Sequence, residues 1–374
     1  MRRRIPLAAL LLVLLLGACT PTWTVQLAGP DSTLTVDHAR LQELESFAEG
    51  EAVPLERVLW ESGYRVIETV TITEADGASE TFVWPDVAQH AAWQFDGDVS
   101  VGDTTFTPER ITVTPPAEVT QITAQIIDLA PTAAAALGLS APEHATGAVL
   151  TDVEAEHVLL LFLDGFGYVR YTEALADGLI PNLAALPEPQ RAQTVYPPCT
   201  SVASAAILTG AAPAANGVDR RGIRTTEAET LLDVAAEAGV RVQAVEGNAL
   251  AFNLRNAKIE LSGDKDGNGS TDDNVLTNTL AVLETGMPDL FWVHFHGIDD
   301  AGHTYGPGAP EEAAAIREVD AAVGEILAAL PGNTLVLIFA DHGMHTVNEE
   351  ERLGNHGNLI ARDMLIPIWT VWTE

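Results

Sequence analysis

Between residues 157 and 340 the chain repeats one rhythm: an apolar run, a short polar loop, then a helical pattern. The runs lie at residues 158–163, 240–245 (less purely), 290–293 and 334–340. Apolar side chains at every position, not at alternate ones, suit strands buried on both faces of a parallel sheet. Helical patterns fall between them, at residues 201–208, 227–238 and 310–330. This alternation predicts an α/β fold with helices on both faces of a mostly parallel sheet. Ligands on such sheets sit beyond the carboxyl ends of the strands.

The first third of the chain reads differently. Residues 53–59 read as a helix start, residues 64–73 alternate as a strand does, and Ala75-Asp76-Gly77 supplies a turn. Trp84, Trp93 and Phe95 are expected in a core. The expectation is a small α+β or β-rich domain over residues 31–118, bounded by Pro115-Pro116. A helical or linking segment follows over residues 119–150, and the large domain runs over residues 151–374. A chain of 374 residues accommodates two such domains.

Arg2, Arg3 and Arg4 precede an apolar stretch at residues 7–16 that is too short to span a bilayer. Leu16-Gly17-Ala18-Cys19 follows and resembles a bacterial lipobox. The expectation is an exported lipoprotein: residues 1–18 a signal peptide, Cys19 the lipid attachment, residues 19–30 a tether, and the body at the cell surface or periplasmic face of a bacterial membrane. Cys199 is then the one other cysteine, which excludes a disulfide within the mature chain. The net charge is −34, and Lys258 and Lys265 are the only lysines. Such a surface repels nucleic-acid backbones, so no nucleic-acid binding is expected. A small anionic substrate then needs a local positive feature, which bound metal ions would supply.

Three of the apolar runs end in acidic or imidazole residues. Asp164 follows the first. His294, His296, Asp299, Asp300 and His303 cluster at the end of the third. Asp341 and His342 follow the fourth, with His356 soon after. One such ending is an ordinary turn or cap. Three on one sheet point to zinc or another divalent metal.

Four motifs carry a family resemblance over residues 157–374. They are Leu161-Phe162-Leu163-Asp164-Gly165-Phe166-Gly167; Tyr196-Pro197-Pro198-Cys199-Thr200, running on to Thr209-Gly210; Asp299-Asp300-Ala301-Gly302-His303; and Ala340-Asp341-His342-Gly343-Met344 with the later Gly354-Asn355-His356-Gly357. In this order they resemble the alkaline phosphatase superfamily, in particular its nucleotide pyrophosphatase/phosphodiesterase branch. The resemblance implies an alkaline-phosphatase-like three-layer sandwich and two divalent transition metals, zinc above all. It implies that Asp164, Thr200, Asp341 and His342 hold one metal, and Asp299, His303 and His356 the other. Asp299 is preferred to Asp300 because the family places the aspartate four positions before the histidine. Thr200 is implied as the nucleophile, with Ser201 its rival. Metal coordination would turn its weak hydroxyl into an effective nucleophile.

Cys199 lacks the following proline and arginine of a sulfatase motif and reads as a small buried neighbour. Arg220 and Arg221 stand where phosphodiesterase relatives carry an asparagine near the phosphate. They either grip a phosphate oxygen or point into solvent. Asp264, Asp266, Asn268 and Asp272 stand at positions 1, 3, 5 and 9 of a calcium-loop pattern with Gly269 at 6, although Val275 replaces the closing glutamate. The expected activity is phosphodiesterase or nucleotide pyrophosphatase on a small phosphate ester. The alternatives are a phosphomonoesterase, a transferase of phosphoryl-linked head groups, and a non-catalytic surface binding protein.

Overall fold

The computed structural model describes residues 22–30, 32–348 and 352–374. The expected signal peptide and Cys19 lie outside the described residues. The central sheet has eight strands: β1 (Ala124–Gln125), β2 (His157–Leu163), β3 (Gln190–Gln193), β4 (Val242–Glu246), β5 (Lys258–Leu261), β6 (Leu290–Phe295), β7 (Thr334–Phe339) and β8 (Leu365–Thr373). Their spatial order is β1-β3-β8-β7-β2-β6-β4-β5. β8 runs antiparallel to β3 and β7, and all other pairs are parallel.

The middle of this sheet decides where chemistry can occur. β6 and β7 are buried along their whole length, and β2 at every residue after His157. This is why their sequences show no alternation. In register, Phe162 of β2 lies opposite His294 of β6 and Phe339 of β7. The three parallel strands therefore end together, and Asp164, His296 and Asp341 emerge at one edge. Four helices border that edge or brace it: α1 (Thr200–Thr209), α2 (Asp272–Thr285), α3 (Gly297–Tyr305) and α4 (Pro310–Ala329). α1 is rich in alanine and buried from Ser201 to Thr209, as a helix without a polar face must be.

The N-terminal region holds two antiparallel-rich sheets. One has five strands in the order Thr33–Asp37, Thr24–Ala28, Pro108–Thr114, Thr69–Glu74 and Ser79–Val83. The other joins Ala52–Pro54, Ala91–Gln94, Val99–Val101 and Thr104–Phe106. Trp84 and Trp93 are fully buried, whereas Phe95 is only half-buried.

Two boundaries need correction. The segment expected as a tether over residues 19–30 instead contributes Thr24–Ala28, an inner strand whose Val25 and Leu27 face the core. The segment over residues 119–150 is not a linker. It supplies β1 to the central sheet and the almost wholly buried helix Leu129–Ala136. The strand expected from Tyr64 begins only at Thr69, because the Ile67 amide is already committed to Leu359 O across the domain seam, at 2.8 Å.

Glu56 sits on that seam. Its Oε1 accepts from Leu359 N at 2.7 Å and from Trp84 Nε1 at 3.3 Å. Burial, aided by the charge on Asp363, pushes its carboxyl from an ordinary 4.5 up to about 8 despite those two donors. Between these values only the unfolded chain releases the proton, so rising pH disfavours the fold. The cost is absent below the unfolded value and amounts to roughly 3 kcal/mol near pH 7. Glu56→Gln keeps an oxygen acceptor without the charge. Its melting temperature is expected to exceed that of the parent near pH 7–8, the gain vanishing towards pH 4. Thermal unfolding across pH checks this, and a gain that ignores pH would assign it to packing instead.

Candidate active site

The first cluster forms where β2, β7 and α1 meet. Asp164 directly follows β2, Asp341 stands two residues beyond the end of β7, and Thr200 opens α1. Four atoms converge there. His342 Nε2 lies 3.1 Å from Asp341 Oδ2, 3.6 Å from Asp164 Oδ1 and 3.4 Å from Thr200 Oγ1. Thr200 is the first helical residue, with Cys199 in the capping position, so its hydroxyl is not spent as a helix cap. Asp341 is aimed by its other oxygen, which accepts from Gly165 N and His342 N.

The second cluster joins Asp299 and His303, one turn apart on α3, to His356 from the loop before β8. His303 Nε2 is 3.2 Å from Asp299 Oδ2, and His356 Nε2 is 4.0 Å from Asp299 Oδ1. Each imidazole donates from Nδ1 to a backbone carbonyl, His303 to Gly354 O at 2.8 Å and His356 to Pro198 O at 2.7 Å. For His356 this favours the tautomer that presents Nε2 as a ligand, while the Nδ1 of His303 is shared between Gly354 O and the Arg352 guanidinium. The two clusters touch: the His342 and His356 rings stack with centroids 3.7 Å apart. Gly165 makes this proximity possible. Its φ of +74° suits glycine, and a Cβ there would stand 2.9 Å from Asp299 Cβ.

The fit to metal ions rests on unpaired oxygens. Asp164 Oδ1, Asp341 Oδ2 and Asp299 Oδ1 are all buried without a hydrogen-bond partner. Unpaired buried carboxylate oxygens are costly unless a cation faces them. Burial, and then the charges on Asp164 and Asp299, hold the Asp341 carboxyl well above the usual range. Burial, His342 and Arg221 hold His356 well below its usual value, so it is a neutral imidazole. Carboxylates crowded beside imidazoles are the donor set of zinc and similar divalent ions. The residues present fit a pair of such ions.

Behind Asp164 lies a buried network that no sequence motif marks. Its Oδ2 faces His294 Nε2 at 3.1 Å and His296 Nδ1 at 3.6 Å. Both imidazoles contact Glu246 Oε2, at 3.0 and 3.2 Å, and Trp292 Nε1 donates to Glu246 Oε1. Burial would raise the Asp164 carboxyl, but the bonds from His294 and His296 outweigh it and hold it well below the carboxylate range. The same histidines draw Glu246 down to about 2 against its burial. The network therefore keeps Asp164 ionised and oriented. Glu246 was legible in principle, since it too is an acidic residue at the end of a central strand.

The arginines part company. Arg221 Nη2 lies 3.3 Å from His356 Nε2, inside the site. Arg220 turns away to the Asp219 carboxylate, Ser46 O and the Phe47 ring, where it lines a cavity of about 330 Å³ with Arg57 and Tyr196. Asp300 is exposed beside Asp299, while Cys199 and Ser201 are buried. Arg352, which lies in none of the four motifs, packs its guanidinium against His303.

The calcium reading needs correction. Asp272 is buried, and its two oxygens accept from His296 N and Gly297 N at 3.0 and 2.8 Å. It anchors the start of α3, whereas the other three residues of the pattern are exposed. Asp264, Asp266 and Asn268 accept from amides within their own loop.

Known proteins share parts of this chain. Mouse GPI ethanolamine phosphate transferase 3, catalytic subunit, is 33% identical over 88 residues, which are 24% of this chain and 8% of that protein. Human ectonucleotide pyrophosphatase/phosphodiesterase family member 7 is 38% identical over 66 residues, 16% of this chain and 14% of that protein. The chain thus aligns with under a fifth of either relative. Among solved structures, murine ectonucleotide pyrophosphatase/phosphodiesterase 5, an inactive variant with AMP, has a TM-score of 0.46 at 13% identity, covering 57% of this chain and 87% of that one. Phosphonoacetate hydrolase from Sinorhizobium meliloti has a TM-score of 0.42 at 18% identity, covering 57% and 59%. The family model for type I phosphodiesterase / nucleotide pyrophosphatase matches residues 158–370, from β2 almost to the end of β8 and across both clusters, and the chain belongs to that family.

Proposed function

We propose that this chain is a phosphodiesterase that works with two divalent transition-metal ions, zinc by preference, and with Thr200 as its nucleophile. The carrying observation is the convergence of Thr200 Oγ1 with His342, Asp341 and Asp164 at the amino end of a buried helix. Bound ions would lower the hydroxyl pKa and neutralise charge on the phosphate and leaving oxygens. Thr200 Oγ, giving up its proton to solvent, then attacks phosphorus; the bond to the leaving oxygen breaks, the electron pair departs on that oxygen, and it takes a proton from solvent to leave as the alcohol. Water later cleaves the phosphothreonine and restores the hydroxyl. The amides at the start of α1 favour the phosphate oxygens, and Arg221 is placed to contact one of them. In the same reading the protein is exported and held at a bacterial membrane by lipid on Cys19, its substrates small phosphate esters outside the cell.

The test is hydrolysis of bis-nitrophenyl phosphate, nitrophenyl phosphate and a nucleotide ester, before and after chelation. Diesters should be cleaved fastest, with activity lost on chelation and restored by zinc. A preference for the monoester would favour a phosphatase in which Arg221 grips a terminal phosphate. Inactivity with both ions bound would end the catalytic reading. The ethanolamine phosphate transferase relatives favour a second reading, transfer of a phosphoryl-linked head group. Adding a primary alcohol separates the two: a transferase diverts product to the alcohol ester well beyond what the alcohol-to-water ratio gives.

A further inference from the structure

Two metal-cluster histidines are presented in different ways. His303 stands on α3 beside Asp299, in a backbone that its own helix organises. His356 stands on a loop whose regular structure among the described residues is the two-residue strand Gly354–Asn355, paired to His345–Thr346, and the four-residue helix Ala361–Met364. Such a loop must be fixed from outside if its ligand is to be held within the tolerance a metal site needs.

The three amides that follow His356 are all taken. Gly357 N and Asn358 N both donate to Asp363 Oδ2 at 2.9 Å. Leu359 N donates to Glu56 Oε1 at 2.7 Å, and Leu359 O accepts from Ile67 N at 2.8 Å. Glu56 and Ile67 belong to the N-terminal domain. Asp363 is itself tied to that domain: His345 Nδ1 donates to its carboxylate at 2.9 Å, leaving His345 Nε2 to accept from the Gln89 side chain at 3.1 Å. Two chains of hydrogen bonds therefore run from the N-terminal domain to the His356 loop, one through Glu56 and one through Gln89, His345 and Asp363. Asp363, Leu359 and Glu56 are buried, so water cannot readily replace the bonds made among them and to the His356 loop, whereas Gln89 meets His345 from the exposed side.

We propose that the N-terminal domain is a working part of the second metal cluster: Glu56 and Gln89 are positioning residues that hold His356 where it can bind an ion. This rests on the two-metal reading. It gives the domain a task that no metal ligand or nucleophile in its own sequence would suggest. Partners bonded directly to a ligand typically change metal affinity by about 10- to 100-fold; Glu56 and Gln89 act through the backbone that carries His356, so an effect of up to about 10-fold is expected.

The experiment titrates zinc into the metal-free full chain by calorimetry. The parent should bind two ions, and His356→Ala serves as the reference for a weakened second site. Gln89→Leu and Glu56→Leu should each keep one site at parental affinity and weaken the other severalfold, up to about 10-fold, towards the His356→Ala isotherm. Glu56→Gln, which keeps the oxygen that Leu359 N needs, should retain both sites. Gln89 is exposed, so its variant remains informative if Glu56→Leu does not fold. Two unchanged sites in Gln89→Leu, or equal weakening of both, would reduce the contacts to domain packing and overturn the proposal. A parent that binds fewer than two ions would instead overturn the two-metal reading on which it stands.

Discussion

Thr200→Ala is expected to lower turnover by at least about a thousandfold, as loss of an activated nucleophile does. The fold should survive, because the change removes two small groups at the first turn of α1 and no capping bond. The nearby cluster should still take an ion, since Asp164, Asp341 and His342 remain. Thr200→Ser keeps the hydroxyl and should keep partial activity. Ser201→Ala should change little, because no atom of Ser201 takes part in the convergence on His342 Nε2. Turnover of the three variants, with mass spectrometry of an acid-quenched reaction, reads the result. Phosphate found on Ser201, or a fully active Thr200→Ala, would move the mechanism to direct attack by water.

The seven proposed ligands were legible because strand ends and helix starts concentrate chemistry. Asp164 and Asp341 each follow an unbroken apolar run, and Asp299 and His303 lie one turn apart on a helix. Their neighbours were harder to read. β1, β3 and β5 have two to four residues and carry Gln125, Gln190, Arg191, Lys258 and Glu260, so no apolar run marks them. β8 contains Pro367, which lacks an N–H and reads as a break, yet it pairs with Arg191 of the four-residue β3. The strand Thr24–Ala28 did alternate, but five residues between an apolar leader and a polar stretch are too few to stand out. Asp272 fell inside an acidic loop with calcium spacing. Spacing cannot tell an oxygen that faces the loop from one that faces the amides of His296 and Gly297. Glu56, Gln89 and Asp363 were invisible for the same reason: their task depends on partners up to 303 residues away in sequence, as for Glu56 and Leu359.

The Asp341→Asn variant should separate what Asp341 does for the ion from what it costs the fold. Without metal, the Asp341 carboxyl is buried beside Asp164 and Asp299, and burial with those two charges holds it well above its ordinary 3.8. Above pH 3.8 the unfolded chain therefore loses this proton before the folded one does. Stability from this group falls as pH rises, until the raised value is passed. The amide introduced by Asp341→Asn would carry no charge, and its oxygen would still accept from Gly165 N and His342 N. Metal-free Asp341→Asn should thus melt above the metal-free parent near pH 7, with the difference closing towards pH 3. Saturating zinc should reverse the order. An ion stabilises the fold according to how tightly it binds the native state, and a neutral amide is a weaker ligand than a carboxylate. Activity should fall by orders of magnitude in the same variant. Melting curves with chelator and with zinc, taken across pH, check both halves. If the variant melts below the parent in chelator at neutral pH, the carboxylates do not repel one another as their positions require, and the unpaired oxygens lose their force as an argument for a cation.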